Sequence, residues 1–135
     1  MNELLNKESV KRVQEFIKKF DPNLKILVLD TTARTAEDAA NSLKCELGAI
    51  VKSLVFRAES DFLICLVAGD KRCSLNKLKK FLNKKDVSMA NADQVKENTG
   101  FSIGGVAPTG HLKKLNIIVD TVSYTHLTLP TKRIV

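Results

Sequence analysis

The stretch "IVKSLVFRAESDFLICLVAGD", residues 50–70, holds two apolar runs on either side of a short polar spacer. Runs of this length, bounded by polar or glycine punctuation, read as strands, roughly Ile50 to Arg57 and Phe62 to Ala68. The spacer "AESD" suits an antiparallel hairpin. Side chains alternate along a strand, so Ile50, Lys52, Leu54 and Phe56 share one face while Val51, Ser53, Val55 and Arg57 share the other. Lys52 thus stands on the more apolar face. A lysine buried without a partner is costly and normally escapes to solvent or shifts its pKa, so its position needs a reason.

Outward from the hairpin, helices and strands mix. "ESVKRVQEFIKKF" places Val10, Val13, Phe16, Ile17 and Phe20 at helical spacing, which predicts an amphipathic first helix over 7–20. "DPN" stops it, and "KILVLD" at 25–30 reads as a short strand. In "TAEDAANSLKC", Thr35 is a cap and Asp38 stands at the answering position of a capping box, so a second helix starts there. Beyond the hairpin, Gly69 and Asp70 close the strand and Ser74 caps "LNKLKKFL". Asn91 caps "ADQVKEN", Gly100 ends that helix, and "LNIIVD" at 115–120 is a further strand. Without a strict βαβ repeat, the expectation is an α+β fold, a mixed sheet with helices packed around it.

A length of 135 residues fits one domain with a real core. Hydrophobic residues at 44% and charged ones at 27% exclude a disordered chain. No long apolar run suggests a membrane span, and "MNELLNKESVKR" lacks the centre of a secretory signal, so the expected location is cytoplasmic. Cys45, Cys65 and Cys73 form no CxxC pair, which supports neither a disulfide framework nor a zinc knuckle; Cys65, inside "FLICLVAG", reads as core. His111 and His126 do not sit at metal-ligand spacing, and neither a metal nor another cofactor is expected.

Net charge is +7, from 22 basic and 15 acidic residues. The excess gathers in "DKRCSLNKLKKFLNKKD", where Lys71, Arg72, Lys77, Lys79, Lys80, Lys84 and Lys85 crowd one helix and its ends. Such a face suits a polyanion, and equally a merely solvated helix. At "GFSIGGVAPTGH", residues 100–111, four glycines and a proline in twelve residues preclude a regular element but let backbone N–H groups approach a ligand. Nothing resembles a P-loop or a GxGxxG turn between strand and helix.

Three pieces in order, "AEDAANSL", "IVKSLVF" followed by "LVAGDKR", and "NTGFSIGGVAPTGH", together resemble the YbaK/EbsC family of aminoacyl-tRNA deacylases, similar to the editing domain inserted in bacterial prolyl-tRNA synthetases. The resemblance covers about residues 25 to 120. It implies a strongly curved mixed sheet flanked by helices. It also implies hydrolysis, in trans, of the ester joining a wrong amino acid to tRNA, most like the cysteinyl or alanyl ester of a tRNA for proline. Aminoacyl-tRNA and an aminoacyl-tRNA synthetase are the implied partners. The family's strand lysine falls on Lys52, and its Gly-x-x-x-Pro loop on Gly104 through Pro108, with Gly105 inside it. Lys52, Gly104 and Gly105 are then the implied catalytic residues, Pro108, Asp70, Arg72 and His111 the substrate contacts, and Lys77, Lys79 and Lys80 the tRNA contacts.

An aminoacyl ester is already activated, so a site need only hold the acyl end, exclude wrong side chains and stabilise charge growing on the carbonyl oxygen. Backbone donors of the 104–108 loop and the Lys52 ammonium suit that task, and no Ser-His-Asp or Cys-His set is evident. Plainer readings stand beside these: Lys52 snorkelling from an edge strand, Asp70 and Arg72 shaping a turn, His111 capping the next strand. A non-catalytic tRNA-binding or synthetase-associated module of the same fold is the alternative function, and a basic surface with a small-molecule pocket and no RNA partner is a third. After Asp120 the family pattern continues, whereas this chain reads "TVSYTHLTLPTKRIV". The domain is therefore expected at 1–120, and 121–135 is an unmatched tail, either one alternating strand ended by Pro130 or a foreign segment.

Overall fold

The hairpin forms as expected. In the computed structural model, which describes residues 2–29 and 35–119, β1 (Val51–Ala58) and β2 (Asp61–Ala68) pair antiparallel, from Val51 opposite Ala68 to Ala58 opposite Asp61. Only Glu59 and Ser60 make the turn, and Glu59 adopts a left-handed φ of 56°, as tight hairpin turns matched to strand twist require.

Around the hairpin lie α1 (Asn2–Leu5), α2 (Glu8–Phe20), α3 (Ala36–Leu43), a 3-10 turn (Leu47–Ala49), α4 (Leu75–Leu82), β3 (Val87–Met89), α5 (Ala92–Thr99) and β4 (Asn116–Val119). The strand order is β3-β1-β2-β4, with β3 antiparallel to β1 and β4 parallel to β2, so the sheet is mixed and the fold is α+β. β3 has only three residues, too few to show a period in the sequence. Arg57 clips it in place: the guanidinium donates to both Asp86 carboxylate oxygens at 2.8 and 3.0 Å and to Ser88 Oγ at 3.1 Å. The hydrogen bond to Arg57 holds the Asp86 carboxyl below its ordinary pKa.

Both faces of the hairpin are covered, which is why "FLICLVA" reads as a near-continuous apolar run. On one face Phe56, Ala58, Leu63, Cys65 and Val67 pack with Leu78 and Leu82 of α4. On the other, Val55 and Ile64 pack with Val95 of α5 and with Val106 and Leu115 from the glycine-rich segment and its continuation. Ile64 and Val67 are fully buried, and each such side chain stabilises the fold by about 1.5–3 kcal/mol.

The caps stand where the sequence puts them. Thr35 Oγ1 accepts from the Asp38 amide, Ser74 Oγ from the Lys77 amide, and Asn91 Oδ1 from the Gln94 amide. The reciprocal capping box is found at Asn91 and Gln94. Gly100, at φ 79°, ends α5.

Two expectations change. The first helix begins at Glu8 with Lys7 as its cap, and α1 precedes it. "KILVLD" is not a strand over its described residues 25–29. Gln14 of α2 takes the place of a strand neighbour: its Oε1 accepts from the Ile26 amide at 3.1 Å and its Nε2 donates to the Leu24 carbonyl at 3.3 Å. Asp120 and the tail 121–135, with the strand expected there, lie outside the described residues. No helix among the described residues is long and apolar enough to cross a membrane.

Candidate active site and nucleic-acid interface

Lys52 lies on the face that α4 covers, in alternation with Leu54 and Phe56. It is half-buried, and its Nζ donates to the Lys71 carbonyl at 2.6 Å. The stem therefore runs along apolar surface while the ammonium finds an acceptor at the open end of the hairpin. Close backbone approach builds that corner. A Cβ on Gly69 would come within 2.5 Å of the Leu47 carbonyl oxygen, and one on Gly48 within 3.0 Å of an Asp70 carboxylate oxygen. The Gly69 amide donates to the Ile50 carbonyl at 2.7 Å and the Lys71 amide to the Ala68 carbonyl at 3.0 Å, which fixes the segment that presents the Lys71 oxygen. Lys52 and the Asp70–Arg72 segment thus meet at one corner, with Asp70 and Arg72 exposed.

The glycine-rich loop is a separate structure. The Gly105 amide donates to the Ser102 carbonyl at 2.9 Å, closing a turn in which Gly104 sits at φ 81°. A Cβ at Gly104 would meet nothing within 4 Å, so that side of the loop is open. His111 Nε2 lies 2.7 Å from the Ala107 carbonyl oxygen. A carbonyl only accepts, so Nε2 carries a proton and the neutral ring leaves a lone pair on Nδ1. Burial pushes the His111 pKa below its ordinary value, the Ala107 hydrogen bond opposes this, and the charge of Arg12 adds to the lowering.

Arg12, which the sequence did not single out, holds the loop. Its Nε donates to the Gly110 carbonyl at 3.1 Å, and one terminal nitrogen reaches the Thr99 carbonyl at 3.5 Å. The guanidinium lies 5.3 Å from the centroid of the Phe101 ring, and Phe101 meets His111 edge to face at 6.0 Å. Gly110 makes room for this arrangement, since a Cβ there would stand 3.1 Å from the Val13 Cα. The sequence signal was faint: an arginine beside Val13 in an amphipathic helix.

The expected site residues fall into three groups. Val106 anchors the loop on the face of Val55 and Ile64, whereas Lys52 stands on the opposite face. Lys77 and Lys80 are exposed on α4, while Lys79 is half-buried and its charge acts on Asp86. Phe81, one turn from Lys77, is 73% exposed among these lysines. An open depression of about 390 Å³ lies between α2 and Ile26, and another of about 380 Å³ beside Asn98 and Lys113; neither is lined by Lys52 or the 104–108 loop. Among the described residues no three His, Cys, Asp or Glu side chains gather into a metal-binding group.

The sequence model of the aminoacyl-tRNA editing domain matches residues 30–123. The proline–tRNA ligase of Kosmotoga olearia is 36% identical over 94 residues, 70% of this chain and 16% of the ligase. That of Thermosipho africanus is 37% identical over 93 residues, 69% of this chain and 16% of the ligase. The chain thus spans about a sixth of the length of these curated relatives. A crystal structure of a candidate trans-editing enzyme for prolyl tRNA synthetase matches with a TM-score of 0.80 at 36% identity, covering 87% of this chain and 74% of that one.

Proposed function

The chain belongs to the aminoacyl-tRNA editing domain family, and from that premise we propose that it hydrolyses the ester of a mischarged aminoacyl-tRNA, with cysteine or alanine on a tRNA for proline as the substrate. The observation that carries the reading is Lys52, a half-buried residue on an apolar face whose ammonium has one described partner, an exposed backbone carbonyl. Such a group can exchange that carbonyl for a substrate oxygen and stabilise the charge that grows there when water attacks the ester. The choice of a tRNA for proline is supported by the similar chains, which are proline–tRNA ligases and a candidate trans-editing enzyme for prolyl tRNA synthetase.

In this reading Gly104 offers a backbone donor to the acyl end, Gly105, whose own amide closes the turn onto Ser102, lets that end approach the loop, and Pro108 and His111 shape the wall that excludes other side chains. Asp70 attracts the α-ammonium of the amino acid and Arg72 a terminal phosphate. Lys77, Lys80 and, less directly, Lys79 receive the tRNA backbone, with Phe81 as a stacking surface for an unpaired base. The catalytic unit is residues 1–120, so deleting Ser123 through Val135 leaves whatever activity the chain has.

One observation favours the second reading, a tRNA-binding module without catalysis: Lys52 and Val106 of the loop sit on opposite faces of the hairpin. Single-turnover hydrolysis of cysteinyl- and alanyl-tRNA for proline, with tRNA binding measured in parallel, separates the two. Hydrolysis that depends on Lys52 supports the deacylase; binding with no hydrolysis supports the module.

A further inference from the structure

The Cys65 and Cys73 sulfurs lie 3.5 Å apart, and neither is in a disulfide. Their surroundings differ. Cys65 is buried in β2 with Leu54 of β1 on one side and Ile118 of β4 on the other, so its backbone is fixed by ladders on both sides. Cys73 is half-buried in the irregular segment between β2 and α4, next to the Ser74 cap. A disulfide requires sulfurs about 2.05 Å apart, so closing this pair takes a movement of about 1.5 Å. The ladders hold the Cys65 backbone, so whatever part of the movement side-chain rotation does not supply falls on the segment from Gly69 to Ser74. That segment carries the Lys71 carbonyl to which Lys52 is bonded.

We propose that Cys65 and Cys73 are a peroxide-sensitive thiol pair whose disulfide displaces the 69–74 segment and, with it, the anchor of Lys52. Hydrogen peroxide reaches Cys73 first because that side chain has solvent access. The Cys73 sulfur attacks one peroxide oxygen, the O–O bond breaks, and water leaves a sulfenic acid. The Cys65 sulfur then attacks the Cys73 sulfur, and the S–O bond breaks. The departing hydroxide takes the Cys65 proton as a second water. Two thiols and one peroxide thus become one disulfide and two waters, and a dithiol reverses the change. In a reducing compartment a bridge of this kind forms transiently, as redox-sensing bridges do.

The thiol chemistry stands apart from the editing reading, and only its effect on rate rests on that reading. The test treats the whole chain with hydrogen peroxide, unfolds it, blocks remaining thiols with N-ethylmaleimide and counts adducts by mass. The reduced chain should carry three adducts and the oxidised chain one, on Cys45, with Cys65 and Cys73 joined in one cross-linked peptide. Cys73→Ser should keep both of its adducts after the same treatment. Persistence of all three adducts, oxidation of Cys73 that stops at the sulfinic acid, or a bridge involving Cys45 would each overturn the pairing. Deacylation should fall in the bridged chain and return with dithiothreitol. A proven bridge with an unchanged rate overturns the displaced anchor but not the pair.

Discussion

Lys52 and the loop around Gly104 are both assigned to substrate, yet they are held in place by different means. Lys52 belongs to a strand whose register with β2 runs through eight residue pairs, and its head is fixed by one bond to the Lys71 carbonyl. The loop has no ladder. Its position comes from Arg12, which bonds the Gly110 carbonyl and covers Phe101, and from Phe101 against His111. A change at Lys52 therefore removes chemistry and spares the fold. A change at Arg12 spares every group assigned to chemistry and removes the support of those on the loop.

The largest effect is expected at Lys52. Lys52→Ala should lower single-turnover deacylation by about 10²–10³-fold, the scale of losing one donor to a developing oxyanion. Its thermal midpoint should stay near wild type, because the carbonyl left behind is close to solvent. Lys52→Arg should also lose most activity, since a planar fork cannot occupy the place of a compact ammonium. A near-wild-type rate for Lys52→Ala would end the catalytic assignment and leave the binding module.

Arg12 gives the converse result. Arg12→Ala should destabilise the fold by about 1.5–3 kcal/mol, the range for a hydrogen bond made by a charged group, with a smaller contribution from the guanidinium no longer covering the Phe101 ring. Urea denaturation measures the change, and the rate should fall only several-fold. An unchanged midpoint would mean that the loop is placed by its own turns, and the contrast with Lys52 would vanish.

What the sequence disclosed follows the same division. The hairpin was legible because both of its faces are covered, which leaves apolar runs bounded by polar residues. The face of Lys52 followed from alternation alone, but its acceptor 19 residues away did not. Ser74 and Asn91 announced their helices because a cap acts within one turn. "KILVLD" misled because a short apolar run suits any extended chain, and nothing in it tells a strand neighbour from the Gln14 amide. Arg12 was hidden because its acceptor at Gly110 is 98 residues away.

The lysines of α4 sharpen the contrast, because the helix supports the hairpin through Leu78 and Leu82 while Lys77 and Lys80 point away from that packing. Neutralising Lys77, Lys79 and Lys80 together should weaken tRNA binding and flatten its salt dependence by roughly 0.7–0.9 in the log–log slope for each phosphate no longer neutralised. Phe81→Ala should weaken binding with the slope unchanged, since stacking releases no counterions. Equal slopes for the triple variant and the wild type would reduce these lysines to a solvated face.

The smallest effect is expected at His111, where the loop's packing should register as a pH dependence of stability. Burial holds the folded ring below the ordinary value of 6.5, and the charge of Arg12 acts in the same direction. Above that value the ring is neutral in both the folded and the unfolded chain, so it contributes no slope. Just below it, the unfolded ring binds a proton that the folded ring resists, and stability falls until pH reaches the depressed folded value. The bond to Ala107 survives protonation, because Nε2 is a donor in either form. The loss therefore comes from placing a second positive charge beside Arg12 in a half-buried site. His111→Gln keeps a donor for the Ala107 carbonyl and removes the titration. Between about pH 8 and about pH 5, its thermal midpoint should fall less than that of the wild type. Parallel curves would mean that His111 titrates as it does in the unfolded chain, and that the loop grips its histidine no more firmly than solvent does.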